Sequence, residues 1–181
     1  VDRSLTLAVL GTDAAARLDR HGVVRPIGRP WSIGWAVGAQ DGWHLAEAEA
    51  AVRQSLVDAM PVVVSALRVP DGAVEQRAWA AVDGGRPVLV LELHDAAPVA
   101  VAVAIIVAPT PGGAIGVIDL SGTEVRVDGR PALQFGREPS RTIVGRSADV
   151  LAAVADGIAD ARWPDGGARS TDGDLAAAFV F

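Results

Sequence analysis

Three tryptophans, Trp31, Trp35 and Trp43, lie within thirteen residues in the run GRPWSIGWAVGAQDGWHL. The chain has only three Phe and no Tyr, so its large rings are concentrated here. Exposed indoles stack on the apolar faces of sugars, and a row of them could bind a glycan. Trp31, Trp35 and Trp43, with His44 beside the last, form the candidate carbohydrate-binding set. The same rings suit a buried anchor, in a core or against a neighbouring domain, because an indole brings a large apolar area and one N–H that needs a partner. The sequence leaves both readings open. Trp79, in the run RAWAAV, reads as a packing residue.

Other chemistry is hard to assemble. Nucleophilic catalysis needs Ser, Thr or Cys beside a base that a third group orients. Cys is absent, which also excludes disulfides and thiolate metal ligands. The three histidines, His21, His44 and His94, each stand next to turn residues and read as loop or surface positions. No G-x-S-x-G elbow occurs. There is no H-x-H, H-E-x-x-H or D-x-D-x-D spacing, and Glu47-Ala48-Glu49 reads as a solvated acidic patch. Gly112-Gly113-Ala114-Ile115-Gly116 lacks the Lys-Ser/Thr pair of a phosphate loop. Glycoside hydrolysis needs two carboxyl groups across a sugar, and no Asp or Glu stands in such a context. No catalytic residue, metal site or cofactor is expected.

Composition limits the partners. The chain has 181 residues, half of them hydrophobic and about a fifth charged, an ordinary balance for one globular domain. Its net charge of −6 gives no electrostatic footprint for nucleic acid or for an anionic membrane surface. All sixteen basic residues are Arg, while Lys, Asn and Tyr are missing. Those absences fit a very GC-rich genome of the actinobacterial kind, so Arg is the default cation here. The longest apolar stretch, Ala96 to Pro109, is too short to span a bilayer and contains Pro98. The N-terminus shows no export signal, so a soluble, cytoplasmic protein is expected, export remaining open if the N-terminus is processed.

The elements that must position these residues are mostly strands. Pro87 to Leu93 (PVLVLEL) and Pro98 to Val107 (PVAVAVAIIV) alternate with period two, separated by His94 to Ala97, a loop of hairpin length. Asp-Gly pairs at 41, 71, 83, 128, 156, 165 and 172 suit turns that need positive φ. Val62–Val69 and Ala73–Val82 flank one such pair, and Glu124–Val127 and Pro131–Phe135 flank another. Ile115–Leu120 precedes Ser121-Gly122, and Leu175–Phe181 forms a last apolar strand after the polar loop Ala161–Asp174. Short strands at this spacing predict an all-β, mainly antiparallel, two-layer sandwich. One short helix is expected near 147–156, with Ser147 as its N-cap and Gly157 at its end. Residues 45–60 are ambiguous: Leu45, Ala48, Val52, Leu56 and Ala59 recur at helical spacing, yet Val52, Ser55 and Val57 suit an edge strand.

Several stretches resemble the N-terminal β-sandwich domain of bacterial glucoamylase- and trehalase-like proteins, whose catalytic domain is a six-hairpin α-toroid. Residues 16–24 (ARLDRHGVV) resemble the opening hairpin of that domain. Gln54 to Val64, followed by Arg68-Val69-Pro70-Asp71-Gly72, resembles its next strand pair. Leu91-Glu92-Leu93 through Pro98 to Val101 resembles the strand pair that follows around a polar turn. The likeness covers about residues 5 to 140 and favours strand from about Ala51. It departs at Asp58-Ala59-Met60-Pro61, where the family has a Thr-rich strand, and in lacking the usual aromatics.

In that family the catalytic carboxylates sit on the toroid, so none is carried over. The resemblance implies a single non-catalytic domain over residues 1–181 that supports or packs against a glycoside-hydrolase-like catalytic domain in the same natural chain. The abrupt end on Phe-Val-Phe fits the N-terminal part of a longer protein. Two alternatives remain. One is an independent carbohydrate-binding module using the Trp cluster. The other is a self-assembling structural domain without a small-molecule ligand.

Overall fold

The computed structural model describes residues 4–58, 60–157 and 168–181. These form an all-β fold of antiparallel sheets with one α-helix. The strands are β1 (Leu5–Ala8), β2 (Ala15–Leu18), β3 (Val24–Pro26), β4 (Trp31–Ala39), β5 (Gly42–Leu45), β6 (Arg53–Leu56), β7 (Val63–Val69) and β8 (Gly72–Asp83). They continue as β9 (Arg86–Asp95), β10 (Ala102–Pro109), β11 (Val117–Ser121), β12 (Glu124–Val127), β13 (Arg130–Gln134), β14 (Arg141–Arg146), β15 (Ala168–Arg169) and β16 (Leu175–Val180). The helix α1 (Ser147–Asp156) lies between β14 and β15. None of the described helices is long and apolar enough to cross a membrane.

One layer is an eight-stranded sheet in the order β1-β2-β3-β4-β10-β16-β14, with β5 also paired to β4. Two four-stranded sheets, β6-β7-β8-β9 and β13-β12-β11-β15, make the opposing layer. Alternation along a strand sends neighbouring side chains to opposite faces. Odd positions of β4 and β16, such as Ile33, Val37, Leu175, Ala177 and Phe179, enter the main core with Leu67, Val74, Ile118 and Val125 of the other sheets. Even positions, including Ala36, Ala104, Ile106, Ala176 and Ala178, form a second core beneath Val150 and Val154 of α1. β16 is therefore buried on both faces, and its small residues let α1 sit close.

The turns follow their chemistry. Asp128 (φ 50°) and Gly129 (φ 75°) both adopt positive φ between β12 and β13, as a two-residue hairpin turn requires. Asp128 also accepts hydrogen bonds from the Gly116 and Val117 amides, each at 2.9 Å.

Three local expectations change. The 94–97 segment does not close a hairpin: β9 runs to Asp95 and belongs to a different sheet from β10, so the connection crosses between layers. The Asp95 carboxylate holds that crossing, accepting from the Ala97 amide at 2.9 Å and the Val101 amide at 3.2 Å. The described part of 45–60 is neither one helix nor one long strand: Leu45 ends β5, and a 3-10 turn, Ala46–Ala48, is followed by β6, while Ala59 lies outside the described residues. Strand wins there because Gln54 can reach the Asp19 carbonyl (2.9 Å) and Ser65 Oγ (3.2 Å) while its backbone pairs with β7. Ser147 is the first helical residue and Arg146 occupies the cap, without a side-chain capping bond, while Gly157 (φ 89°) follows the helix as expected. The 161–167 part of the expected polar loop lies outside the described residues.

Candidate functional site

The tryptophan run does not form one platform. Trp31 and Trp35 occupy odd positions of β4 and face the main core, 6% and 1% exposed. The Trp35 indole N–H donates to the His21 carbonyl at 2.9 Å, which meets the one polar demand of a buried indole. Trp43 lies opposite Gly38 in the β4–β5 pair and so takes the other face of the sheet, on the side of α1. Its ring rests on the bare glycine: a Cβ at Gly38 would stand 3.0 Å from two indole carbons. Trp43 edges a hollow of about 510 Å³ that also exposes Ser140, Arg141 and Asp156.

His44 is clamped. Its Nε2 lies 2.9 Å from Asp41 Oδ1 and its Nδ1 lies 3.0 Å from Glu49 Oε1. Only the imidazolium offers a proton to both carboxylates. The Asp41 hydrogen bond accordingly raises the His44 pKa above the ordinary 6.5, and the same bond lowers Asp41 below 3.8. A base must present a free nitrogen, so His44 in this arrangement fastens the β4–β5 turn to the segment after the 3-10 turn. His21 Nδ1 is 2.8 Å from the Ala46 carbonyl, and its Nε2 accepts from Arg20 Nε at 2.6 Å. His94 is exposed on β9.

A cleft of about 480 Å³ opens on the α1 side of the large sheet. Gly34, Ile106 and Ala108 line it, with Leu151 of α1, Glu47 and Asp174 around them. Arg25, which also borders it, is held by Asp19 at 2.8 Å and Glu47 at 3.6 Å. No group of three or more metal-ligating side chains occurs among the described residues.

The remaining feature is one that sequence reasoning misses. Trp79 belongs to neither buried cluster. Val74, Gln76 and Ala78 of β8 face the main core, so Glu75, Arg77, Trp79 and Ala81 face outward. Register places Val90 beside Trp79, Val88 beside Ala81, and Glu92 beside Arg77. The outer face of β8–β9 is thus a half-exposed apolar strip centred on Trp79, bounded at one end by Arg77, which pairs with Glu75 at 3.1 Å and Glu92 at 4.0 Å. The parity was readable: in AVEQRAWAAV, Trp79 shares its face with a Glu and an Arg.

Comparison with family models, with curated proteins and with solved structures gives no match to this chain.

Proposed function

We propose that this chain is a non-catalytic β-sandwich domain that packs the outer face of β8–β9 against a glycoside-hydrolase-like, α-helical catalytic domain. The Trp79 strip carries the reading. It joins an aromatic centre, flanking Val88 and Val90, and a charged border, the anatomy of a domain interface. The strand pattern and its resemblance to glucoamylase-like N-terminal domains supply the class of partner. In this reading the chain alone hydrolyses no glycoside. Hydrogen–deuterium exchange tests it, comparing this chain with the complete translation product of its gene. Protection of the β8–β9 peptides in the complete product is the expected result. Equal exchange in both, or a product without an α-helical toroid, overturns the reading.

One observation favours a second reading. Trp43 borders a hollow together with Ser140, Arg141 and Asp156, a ring beside polar groups, as a sugar subsite would have. A carbohydrate-binding role then falls to Trp43 alone of the original cluster. Quenching or a shift of its fluorescence by oligosaccharides, abolished in Trp43→Phe, tests this; no change across a broad glycan panel removes it.

A further inference from the structure

The strand that flanks Trp79 is also an open edge. β9 is the outermost strand of its sheet, and no described strand pairs with its far side. Hydrogen-bond parity shows what it presents there. Asp83 and Arg86 close the Gly84-Gly85 turn, and the Ala96 amide donates to the Ala73 carbonyl at 3.0 Å, so the even residues bond to β8. The N–H and C=O groups of Leu89, Leu91 and Leu93 therefore point away from the sheet. Pro87 shares that parity, so its ring nitrogen removes no bond to β8. Native edges are guarded by short strands, bulges, central charge or proline, and of these β9 carries only Pro87, at its second residue. β9 has ten residues and an unbroken register with β8, and the segment from Pro87 to Leu91 carries no charge.

We propose that this edge pairs with β9 of a second copy of the chain, antiparallel, about a two-fold axis at Leu89. The run Arg86-Pro87-Val88-Leu89-Val90-Leu91-Glu92 is self-complementary about its centre. Leu89 meets Leu89, and the two exchange N–H···O=C bonds. Val88 meets Val90. Arg86 meets Glu92 of the second copy, and Glu92 meets its Arg86, so opposite charges face each other at both ends. Each Leu91 N–H reaches the Pro87 carbonyl across the junction. That charge match selects a second copy over an unrelated strand. The contact lies at the edge of the sheet; its Val88–Val90 and Arg86–Glu92 pairs share the Trp79 face without covering it, and self-association is measured on this chain alone, so its failure is distinguishable from failure of the docking role proposed above.

Sedimentation equilibrium of this chain at micromolar to submillimolar concentration tests the pairing, alongside circular dichroism. A monomer–dimer equilibrium is expected. Leu89→Pro removes an edge donor and no bond to β8, and should weaken the dimer by about tenfold or more with an unchanged spectrum. R86E and E92R should each weaken it, and the R86E/E92R double variant should restore it. A chain that stays monomeric throughout overturns the proposal. So does a dimer that is indifferent to the charge reversals, or one that the double reversal fails to restore.

Discussion

The indole N–H of Trp35 donates to the main-chain carbonyl of His21 across 2.9 Å, tying the middle of β4 to the turn between β2 and β3. That turn is built by Asp19, whose Oδ1 accepts from the His21 and Val23 amides at 2.9 and 3.0 Å. It brings Gly22 (φ 80°) against the fully buried face of the core. A Cβ there would lie 2.8 Å from Trp35 Nε1 and would overlap Gln76 Oε1.

Gly22→Ala should therefore be severely destabilising, by about 3 kcal/mol or more, since backbone strain and a steric clash add. Gly28 makes the control. It has a similar φ of 75°, yet a Cβ placed there would meet nothing within 4 Å. Gly28→Ala should cost only the conformational term, about 1 kcal/mol. Urea unfolding of both variants measures the difference; equal losses would show that Gly22 is not sterically confined.

The Asp41–His44–Glu49 clamp predicts a pH dependence. His44 is raised in the folded chain above 6.5, so its contribution is complete below that value and is lost as pH rises through the raised one. Asp41 is lowered below 3.8, so its contribution is present above that value and is lost as pH falls through the lowered one. Between 3.8 and 6.5 the contributions of Asp41 and His44 are both complete. Proton NMR of the His44 ring should show a titration midpoint above 6.5, and Asp41→Asn should lower it more than Glu49→Gln does, because the Asp41 bond is the larger cause. A midpoint unmoved by Asp41→Asn would show that the carboxylate does not hold the ring.

Period-two alternation and Asp-Gly punctuation made β7, β8, β12, β13 and β16 readable from the chain, and with them the sandwich. The helix at Ser147–Asp156 was readable from its apolar spacing and its terminal glycine. What escaped depends on pairing rather than propensity. Nothing local tells that β9 and β10 lie in different sheets, since two alternating runs joined by four residues look like any hairpin. The indole spacing in GRPWSIGWAVGAQDGWHL also misleads. Trp31 and Trp35 share parity within one strand, but the turn at Gln40-Asp41 carries Trp43 onto the next strand and the opposite face. That choice of face is set by cross-strand register, which spacing alone does not encode.

The two kinds of tryptophan should separate in stability measurements. Trp35 is 1% exposed and hydrogen-bonded in the main core, so Trp35→Ala should cost about 3–5 kcal/mol. Trp79 stands on the outer face with Val90 as its cross-strand neighbour, so Trp79→Ala should cost about 1 kcal/mol in the isolated chain. Thermal or urea unfolding compares them directly. A loss at Trp79 as large as at Trp35 would mean that Trp79 packs within this domain, leaving no apolar strip for a partner.

Gln76 offers the converse test, a polar side chain whose replacement by an apolar one of the same shape should do no harm. It is fully buried, and neither its Nε2 nor its Oε1 has a hydrogen-bond partner among the described residues. Its neighbours at Gly22 and Ser65 fix where the amide sits, because the site of a Gly22 Cβ falls on Gln76 Oε1 and 3.1 Å from the Ser65 side chain. A buried amide without a partner costs about 1–3 kcal/mol relative to an apolar group of the same shape. Met has nearly that shape, so Gln76→Met should leave the urea midpoint unchanged or raise stability by about 1 kcal/mol. Gln76→Ala should instead destabilise by opening a cavity beside Trp35 and Gly22. If Gln76→Met lost as much as Gln76→Ala, the amide would be hydrogen-bonded in solution, and the polar seam of Gln54, Ser65 and Gln76 would be a stabilising part of the core.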